Sequence, residues 1–369
     1  MAESTQTAQS PMSCQLCNNN VVIIKWKCTD CELLLCDNCK INIHSRFKSS
    51  DQHRVVSIGD IGYDITDHLK ALDISEVISH VFNTYQTELP SIHKIICRDD
   101  DDVFLLSSID TQNCHLIKAK LQKNSIKVLQ KFDIECQDFA VNRNSAIIFA
   151  PFPRSELHAE TSTGDLRTIL KASPYIILAI HMNKQGELLL GLREQGPKYP
   201  VTDFCTRQVV ILDTDILRKA TYEYDDSGKK LFSYAVLIES DSDNNIYVVD
   251  IISDNTNGRI VGLDINGRKK FIYQGYNILN THETPFTPTG IAVTSTNIVL
   301  VADGQNHAIH ALTQKGEICG LQKTENMGIR FPYSLSFDSE NFLLIGCSRG
   351  NTEIEQHAKI HAVKTSIQN

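Results

Sequence analysis

The first fifty-three residues carry eight side chains able to ligate a metal, in one ordered run: Cys14, Cys17, Cys28, Cys31, Cys36, Cys39, His44 and His53. Their spacing is C-x2-C-x10-C-x2-C-x4-C-x2-C-x4-H-x8-H. A CxxC turn sets two thiolates on one side of a tight loop, within reach of one tetrahedral Zn²⁺ at roughly 2.3 Å per bond, so each pair is half a site. Eight donors complete two four-ligand shells and leave no position for a reactive water, which is the pattern of structural rather than hydrolytic zinc. Three CxxC pairs followed by two histidines carry far more information than one pair alone.

The elements around these residues have little else to hold them together. Four residues between Cys31 and Cys36 are too few for neighbouring pairs to fold back onto one ion, so alternate pairs share a metal. Cys14, Cys17, Cys36 and Cys39 then hold the first zinc, and Cys28, Cys31, His44 and His53 the second. Val22, Ile23, Ile24, Trp26 and Leu33-Leu34-Leu35 are the main apolar side chains available for a miniature core. Metal binding must therefore supply most of the folding free energy. A disulfide framework fits less well, because MAESTQTAQSPMS lacks the basic start and apolar core of a secretory signal. Cys97, Cys114, Cys136, Cys205, Cys319 and Cys347 are scattered singly among apolar residues, as reduced thiols of an intracellular protein would be. A cytoplasmic setting is expected, with the nucleus also compatible.

The run WKCTDCELLLCDNCKINIHSRFKSSDQHRVVSI resembles a B-box zinc finger of the tripartite-motif proteins, in the form with six cysteines and two histidines. In that family the alternate pairing is the known one, and all eight ligand positions are filled here. The resemblance implies a B-box over residues 9–58, followed by a short linker at 59–75 with room for one or two helical turns around Asp64 to Leu72. The long coiled coil of tripartite-motif proteins needs at least three or four heptads and does not fit in that linker. The thirteen residues before Cys14 are likewise too few for a RING.

From about residue 84 onward the sequence keeps one texture, in which short aliphatic and β-branched runs alternate with Asp, Asn, Gly and Ser clusters, an all-β signal. One phrase recurs as SIHKIICRDDDDVFLLSS, ECQDFAVNRNSAIIFAP, PYIILAIHMNKQGELLLGL, SYAVLIESDSDNNIYVVD, PTGIAVTSTNIVLVAD and PYSLSFDSENFLLIGC. Its second strands begin near Val103, Ala146, Glu187, Ile246, Ile298 and Phe342, at intervals of 43, 41, 59, 52 and 44 residues. That is the period of a four-stranded propeller blade, and the insertion REQGPKYPVTDFCTR accounts for the longest interval. The sixth unit ends after its third strand, KIHAVK, so EVISHVFNTY at 76–85 is expected to complete it and close the ring. PTGIAVTSTNIVLVADGQNHAIHALTQKGE and NNIYVVDIISDNTNGRIVGLDINGR resemble NHL-type repeats, with Asp303 and Asp250 ending their second strands; the other four units lack that aspartate. The expected fold is therefore mainly β: a small two-zinc cross-brace B-box, then a divergent, NHL-like six-bladed β-propeller over 76–369.

Net charge is −8, with 7 basic and 10 acidic residues in 1–80 and 29 and 34 in the remainder. Neither part has the basic excess that phosphate neutralisation favours, so RNA binding is disfavoured, and no apolar run approaches the roughly eighteen residues of a membrane span. DDDD at 99–102 reads as a solvated turn, and KK at 229–230 and RKK at 268–270 as hairpin tips. Channel-mouth catalysis would use a metal or a carboxylate–histidine set, for which Asp250, Asp303, His307, His310 and His361 are the candidates. Aspartates closing turns accept backbone hydrogen bonds far more often than they bind calcium, and strand histidines usually pack, so no active site and no enzyme are expected. The reading is a zinc-binding adaptor that recognises protein partners through the propeller and B-box. Its alternatives are a ubiquitin-ligase component with a RING supplied in trans and an NHL-type RNA-binding regulator.

Overall fold

Each recurring phrase of the sequence becomes the first two strands of a four-stranded antiparallel blade, and six blades form a β-propeller. Four blades are separate sheets, and the last and first run together as one eight-stranded sheet. The computed structural model describes residues 14, 16–17, 25–28, 33–42, 44, 53, 55–57, 74–98, 102–108, 114–254, 256–348 and 357–367. The chain divides into two units, Met1–Leu72 and Asp73–Asn369. In the first, β1 (Trp26–Cys28), β2 (Leu34–Leu35), α1 (Asp37–Asn42) and β3 (Val55–Ser57) follow in order, and the strands form an antiparallel sheet in the order β2-β1-β3. Residues 59–73, which include the helical turns expected near Asp64, lie outside the described residues.

The second unit starts with β4 (Ile78–Gln86). The first blade is β5 (Lys94–Cys97), β6 (Asp102–Ser108), β7 (Cys114–Gln122) and β8 (Ser125–Phe132). The second is β9 (Cys136–Val141), β10 (Ile147–Pro151), β11 (Glu156–Glu160) and β12 (Leu166–Lys171). The third is β13 (Tyr175–Met182), β14 (Leu188–Glu194), β15 (Arg207–Leu212) and β16 (Arg218–Tyr222). The fourth is β17 (Ala235–Ser240), β18 (Ile246–Ile251), β19 (Gly258–Leu263) and β20 (Lys269–Tyr273). The fifth is β21 (Pro288–Val293), β22 (Val299–Asp303), β23 (Ala308–Leu312) and β24 (Ile318–Lys323). The last has only β25 (Pro332–Phe337), β26 (Leu343–Cys347) and β27 (Lys359–Thr365) from the C-terminal end. Strand β4 supplies its fourth, pairing antiparallel with β27 from Lys359↔Gln86 to Thr365↔Ile78.

A local rule in the sequence makes the hairpins. Asn142, Asn183, Asp213, Asp241, Asp264 and Asp338 each accept, through a side-chain oxygen, the backbone N–H groups two and four residues on. The residue three positions on, respectively Ser145, Gly186, Ile216, Asn244, Gly267 and Asn341, has positive φ. Asx side chains that bond their own turn, followed by a left-handed residue, are the means by which a three-residue loop joins two twisted strands. Ile216 is the costly member, since a β-branched residue is disfavoured at φ 64°. Its side chain packs against the core shared by the second and third blades, which offsets that cost.

The second strand of every blade is apolar on both faces because each sheet is sandwiched between two others. In β18, Ile246 and Val248 pack toward the third blade with Leu189 and Val209. Tyr247 and Val249 pack toward the fifth with Val299 and Val301. The same alternation gives six apolar layers, one between each pair of neighbouring blades, including the layer between the last and first that joins Leu344 and Ile360 to Val103 and Leu105. Close approach of the inner strands needs small residues: a Cβ at Gly290 of β21 would collide with the backbone carbonyl of Tyr333 in β25.

The strand-ending aspartates are structural. Asp250 accepts the N–H groups of Ser233 and Tyr234 at 2.7 and 2.6 Å and pairs with Arg259 Nε at 2.8 Å. Asp303 accepts from Thr287 N, Asn306 Nδ2 and Asn280 Nδ2. Burial pushes the Asp303 carboxyl up, but the His310 ring 3.4 Å away and the two amides outweigh it and hold the group below its ordinary value. A depressed folded-state pKa contributes stability above the unfolded value of about 3.9 that is lost as pH falls through the lower folded value. The stability gap between wild type and Asp303→Asn is therefore expected to be constant near neutrality and to shrink below about pH 4. Denaturant titrations across pH 2–7 check this, and a gap that widens in acid would contradict it.

Two expectations need correcting here. Asp102 is not in a solvated turn but starts β6, where it is buried and paired with Lys118 and with Lys120 at 3.7 Å across the ladder; Asp99, Asp100 and Asp101 lie outside the described residues. His307 is not in a strand but in the turn before β23, at φ 49°, with Nδ1 accepting Phe331 N at 2.9 Å.

Candidate functional site

The N-terminal unit gathers its donors in an interleaved order. The Sγ atoms of Cys14, Cys17, Cys36 and Cys39 all lie within 4.8 Å of one another. Cys17 Sγ and Cys36 Sγ are 3.8 Å apart, which is the edge of a tetrahedron with bonds of about 2.3 Å. Cys36 and Cys39 sit at the entry to and inside α1, and their N–H groups point at Cys14 Sγ and Cys36 Sγ, each at 3.4 Å. Burial pushes the Cys14 thiol up, yet N–H groups of Cys36, Leu16 and Cys17 outweigh it and bring it down to about 6. Burial and the three neighbouring sulfurs push Cys39 the other way. Four sulfurs at this spacing, one of them held in favour of its thiolate by backbone N–H groups, make a set whose charge a cation would balance. This set can hold a metal ion.

The second set comprises Cys28, His44 and His53, whose ligand atoms are also within 4.8 Å of one another. Cys28 Sγ is 3.7 Å from His53 Nδ1, and the two imidazoles are tilted by 55° with centroids 5.4 Å apart. Cys28 and His44 are buried. Cys31, the remaining ligand expected from the spacing, lies outside the described residues. Among the described residues these are the two groups of three or more His, Cys, Asp or Glu side chains close enough to share an ion.

The propeller unit has a site of its own that the sequence reading did not find. Inner strands β5, β9, β13, β17, β21 and β25 line a central cavity of about 360 Å³. From β5, Lys94 Nζ reaches Asp138 Oδ1 of β9 at 2.5 Å and the Ile180 carbonyl of β13 at 3.0 Å. Asp138 also accepts the N–H groups of Phe139 and Ile180, at 2.9 and 2.6 Å. Burial raises the Asp138 carboxyl, against the ammonium and the two donors that hold it down. On β13, His181 Nε2 lies 2.8 Å from Ser240 Oγ and 3.5 Å from Glu239 Oε1 of β17. Burial keeps the His181 ring below its ordinary pKa, with Lys94 acting in the same sense and Glu239 and Asp138 against it. His93, its ring tilted against that of Tyr333 with centroids 4.6 Å apart, is pushed down to about 4 by burial.

Both His181 contacts fall on one ring nitrogen. A nucleophile–base–carboxylate relay needs hydroxyl and carboxylate on opposite nitrogens, so this set is not one. It is an imidazole beside a hydroxyl, next to a fixed ammonium–carboxylate pair, in a cavity large enough for a small ligand. Each residue reads as an isolated polar position in its own strand, so the one sequence signal was a polar interruption of an inner-strand run, as in YIILAIHM and CQDFAV. The earlier candidates lie elsewhere. His310 is wholly buried and bonded to Tyr273 Oη at 2.7 Å, and His361 Nδ1 contacts Thr84 Oγ1 at 2.9 Å in the closing blade.

No protein-family model matches the chain, and no curated protein matches it. Solved structures do. A luciferin-regenerating enzyme is similar at TM-score 0.54 and 13% identity, covering 76% of this chain and 96% of that one. The calcium-binding protein regucalcin from Agrobacterium tumefaciens is similar at TM-score 0.52 and 12% identity, covering 79% and 95%. At such identity the likeness shows the fold, a β-propeller. It also overturns the expectation that the chain is no enzyme, because a propeller of this shape serves as one. That expectation rested on strand-ending aspartates and strand histidines, whereas the polar groups that could act are brought together only by the closed ring.

Proposed function

We propose that this chain is a zinc-binding recognition protein. Residues 9–58 would form a B-box-type finger with two structural zinc ions, residues 59–75 a short linker, and residues 76–369 a divergent NHL-type propeller that engages a partner protein. The observation that carries the reading is the interleaving of donors, in which the first CxxC pair meets the third while Cys28 meets the two histidines. Two crossed sites of four ligands need no open position, which suits metal as scaffold. Zinc is preferred because thiolate and imidazole in tetrahedral array are its usual ligands. Thiolate sites require reduced cysteines, so the reading carries an intracellular setting. Elemental analysis of the purified chain should find about two zinc equivalents, as eight ligands imply, and less than one would sink the proposal. Pull-downs with the full chain and with a chain beginning at Asp73 then identify the partner and the unit it binds.

A second reading is favoured by the paired charges of the channel: the propeller also takes a small polar ligand there, seated between Lys94 and His181. Small molecules that raise the melting temperature of the wild type are expected to lose that effect on Lys94→Met if they bind in the channel. A screen in which every such molecule acts equally on both proteins would remove this reading.

A further inference from the structure

The long insertion of the third blade covers an arrangement that burial alone does not explain. Arg193 of β14 and Arg207 of β15 are directly opposite each other in the antiparallel register. Directly opposed residues share a face of the sheet, and like charges in that position repel. Both are buried, at 6% and 1% exposure. Guanidinium groups stay charged at any pH a protein experiences, so burying two of them side by side requires compensation.

The chain supplies only part of it. Arg193 Nη1 donates to the carbonyls of Glu194 and Gly196, at 2.8 and 2.9 Å. Arg207 Nη2 donates to the carbonyls of Pro197 and Lys198, at 3.4 and 2.9 Å. Both guanidiniums thus grip the same exposed loop. Among the described residues Glu194 is the one carboxylate within ion-pair distance of either, at 2.9 Å from Arg207 Nη2. Its other oxygen accepts Thr206 N. Asp250 of the next blade is taken up by Arg259 and two backbone N–H groups. One positive charge is left over, and Arg193 Nε, Arg207 Nε and Arg207 Nη1 are buried without an acceptor in the protein. Lys198 adds a further cation, 5.2 Å from the centre of the Tyr234 ring that also packs on Arg193.

We propose that the Arg193–Arg207 pair beneath the 194–206 loop is an anion-binding site that takes a single phosphate or carboxylate group. Such a group has the charge the pair lacks and the oxygen acceptors for the three remaining donors. The loop, strapped to the fourth blade by Tyr199 Oη on the Ile251 carbonyl at 2.6 Å, would act as its lid. The site lies within the propeller unit, apart from the channel, and does not depend on the function proposed above.

The test is thermal unfolding of the full chain in sodium phosphate, sodium acetate or sodium chloride at matched ionic strength and pH 7.5. Phosphate or acetate is expected to raise the propeller's melting temperature saturably, by about 4 °C at a hundredfold excess over half-saturation, and chloride is not. A response to phosphate alone assigns the site to phosphoryl groups, and a response to both extends it to carboxylates. Arg207→Met and Arg193→Met should abolish the effect. Glu194→Gln, which keeps both arginines and removes their one carboxylate, should reach half-effect at a concentration roughly tenfold lower, and it decides the matter should the arginine variants fail to fold. Equal shifts in all three salts, or a Glu194→Gln response identical to wild type, would overturn the proposal and leave the donors to buried water.

Discussion

Replacing Cys36 with serine is expected to unfold the N-terminal unit while the propeller stays folded. Among the described residues of that unit, the buried apolar side chains are Cys14, Cys28, Leu35, Cys36 and Cys39. Four of these five are proposed metal ligands, so Leu35 is the one ordinary core residue. Full burial of a leucine stabilises by about 1.5–3 kcal/mol, whereas structural zinc contributes on the order of 10–16 kcal/mol in small zinc domains. The metal term dominates, and serine removes a thiolate from the middle of the first site. Trp26 reports the event without interference because it is the only tryptophan of the chain. Its Nε1 donates to Asp37 Oδ1 at 2.7 Å, and Lys40 Nζ lies 2.9 Å from the centre of its ring, so its environment depends on α1 staying in place. Cys36→Ser should shift Trp26 emission to that of a solvated indole and lower the zinc content, and a strong chelator should do the same to wild type. Unchanged emission with full zinc content would refute the structural role of the metal.

Removing β4 is expected to destroy the propeller. The comparison is between a chain beginning at Asp73 and one beginning at Thr87, which differ only by the closing segment. That segment buries Val77 and Ile78 completely, pairs with the whole of β27, and exchanges hydrogen bonds with β24 through Ser75, at 3.1 Å each. It also ties the last blade to the first through Gln86 N on the Asn124 carbonyl at 2.8 Å. Two buried aliphatic side chains at about 1.5–3 kcal/mol each and a ladder of hydrogen bonds at roughly 1 kcal/mol each together approach the ~5–15 kcal/mol that is a domain's whole stability. The loss also leaves β27 as an open edge, which templates association. The shorter chain should be aggregated or unfolded by size-exclusion chromatography and circular dichroism. A monomer melting within a few degrees of the longer chain would show that the ring does not need its closing strand.

What could be read in advance was local. A CxxC pair, a hairpin whose Asp or Asn bonds its own turn, and a strand apolar on both faces all leave their mark within ten residues of sequence. That is why the phrase repeated six times and why DINGR and DSDNN turned where they did. What could not be read depends on residues far apart meeting. Asp102 looked solvated because the lysines that pair with it, Lys118 and Lys120, lie on the following strand. The absence of catalytic potential was inferred from Asp303 and His310, which are buried in a blade, while Lys94, Asp138, His181 and Glu239 each stood alone in a different inner strand.

The sequence by itself determined the repeat, the mainly β architecture and the order of the metal-capable residues, because turn chemistry, strand alternation and ligand spacing are all short-range. Only the tertiary structure decided which polar residues face one another. Ring closure turns six inner strands into one cavity, and a strand register sets Arg193 opposite Arg207 beneath a single carboxylate. Charge compensation in a buried space is a property of neighbours in space, and no spacing along the chain encodes it.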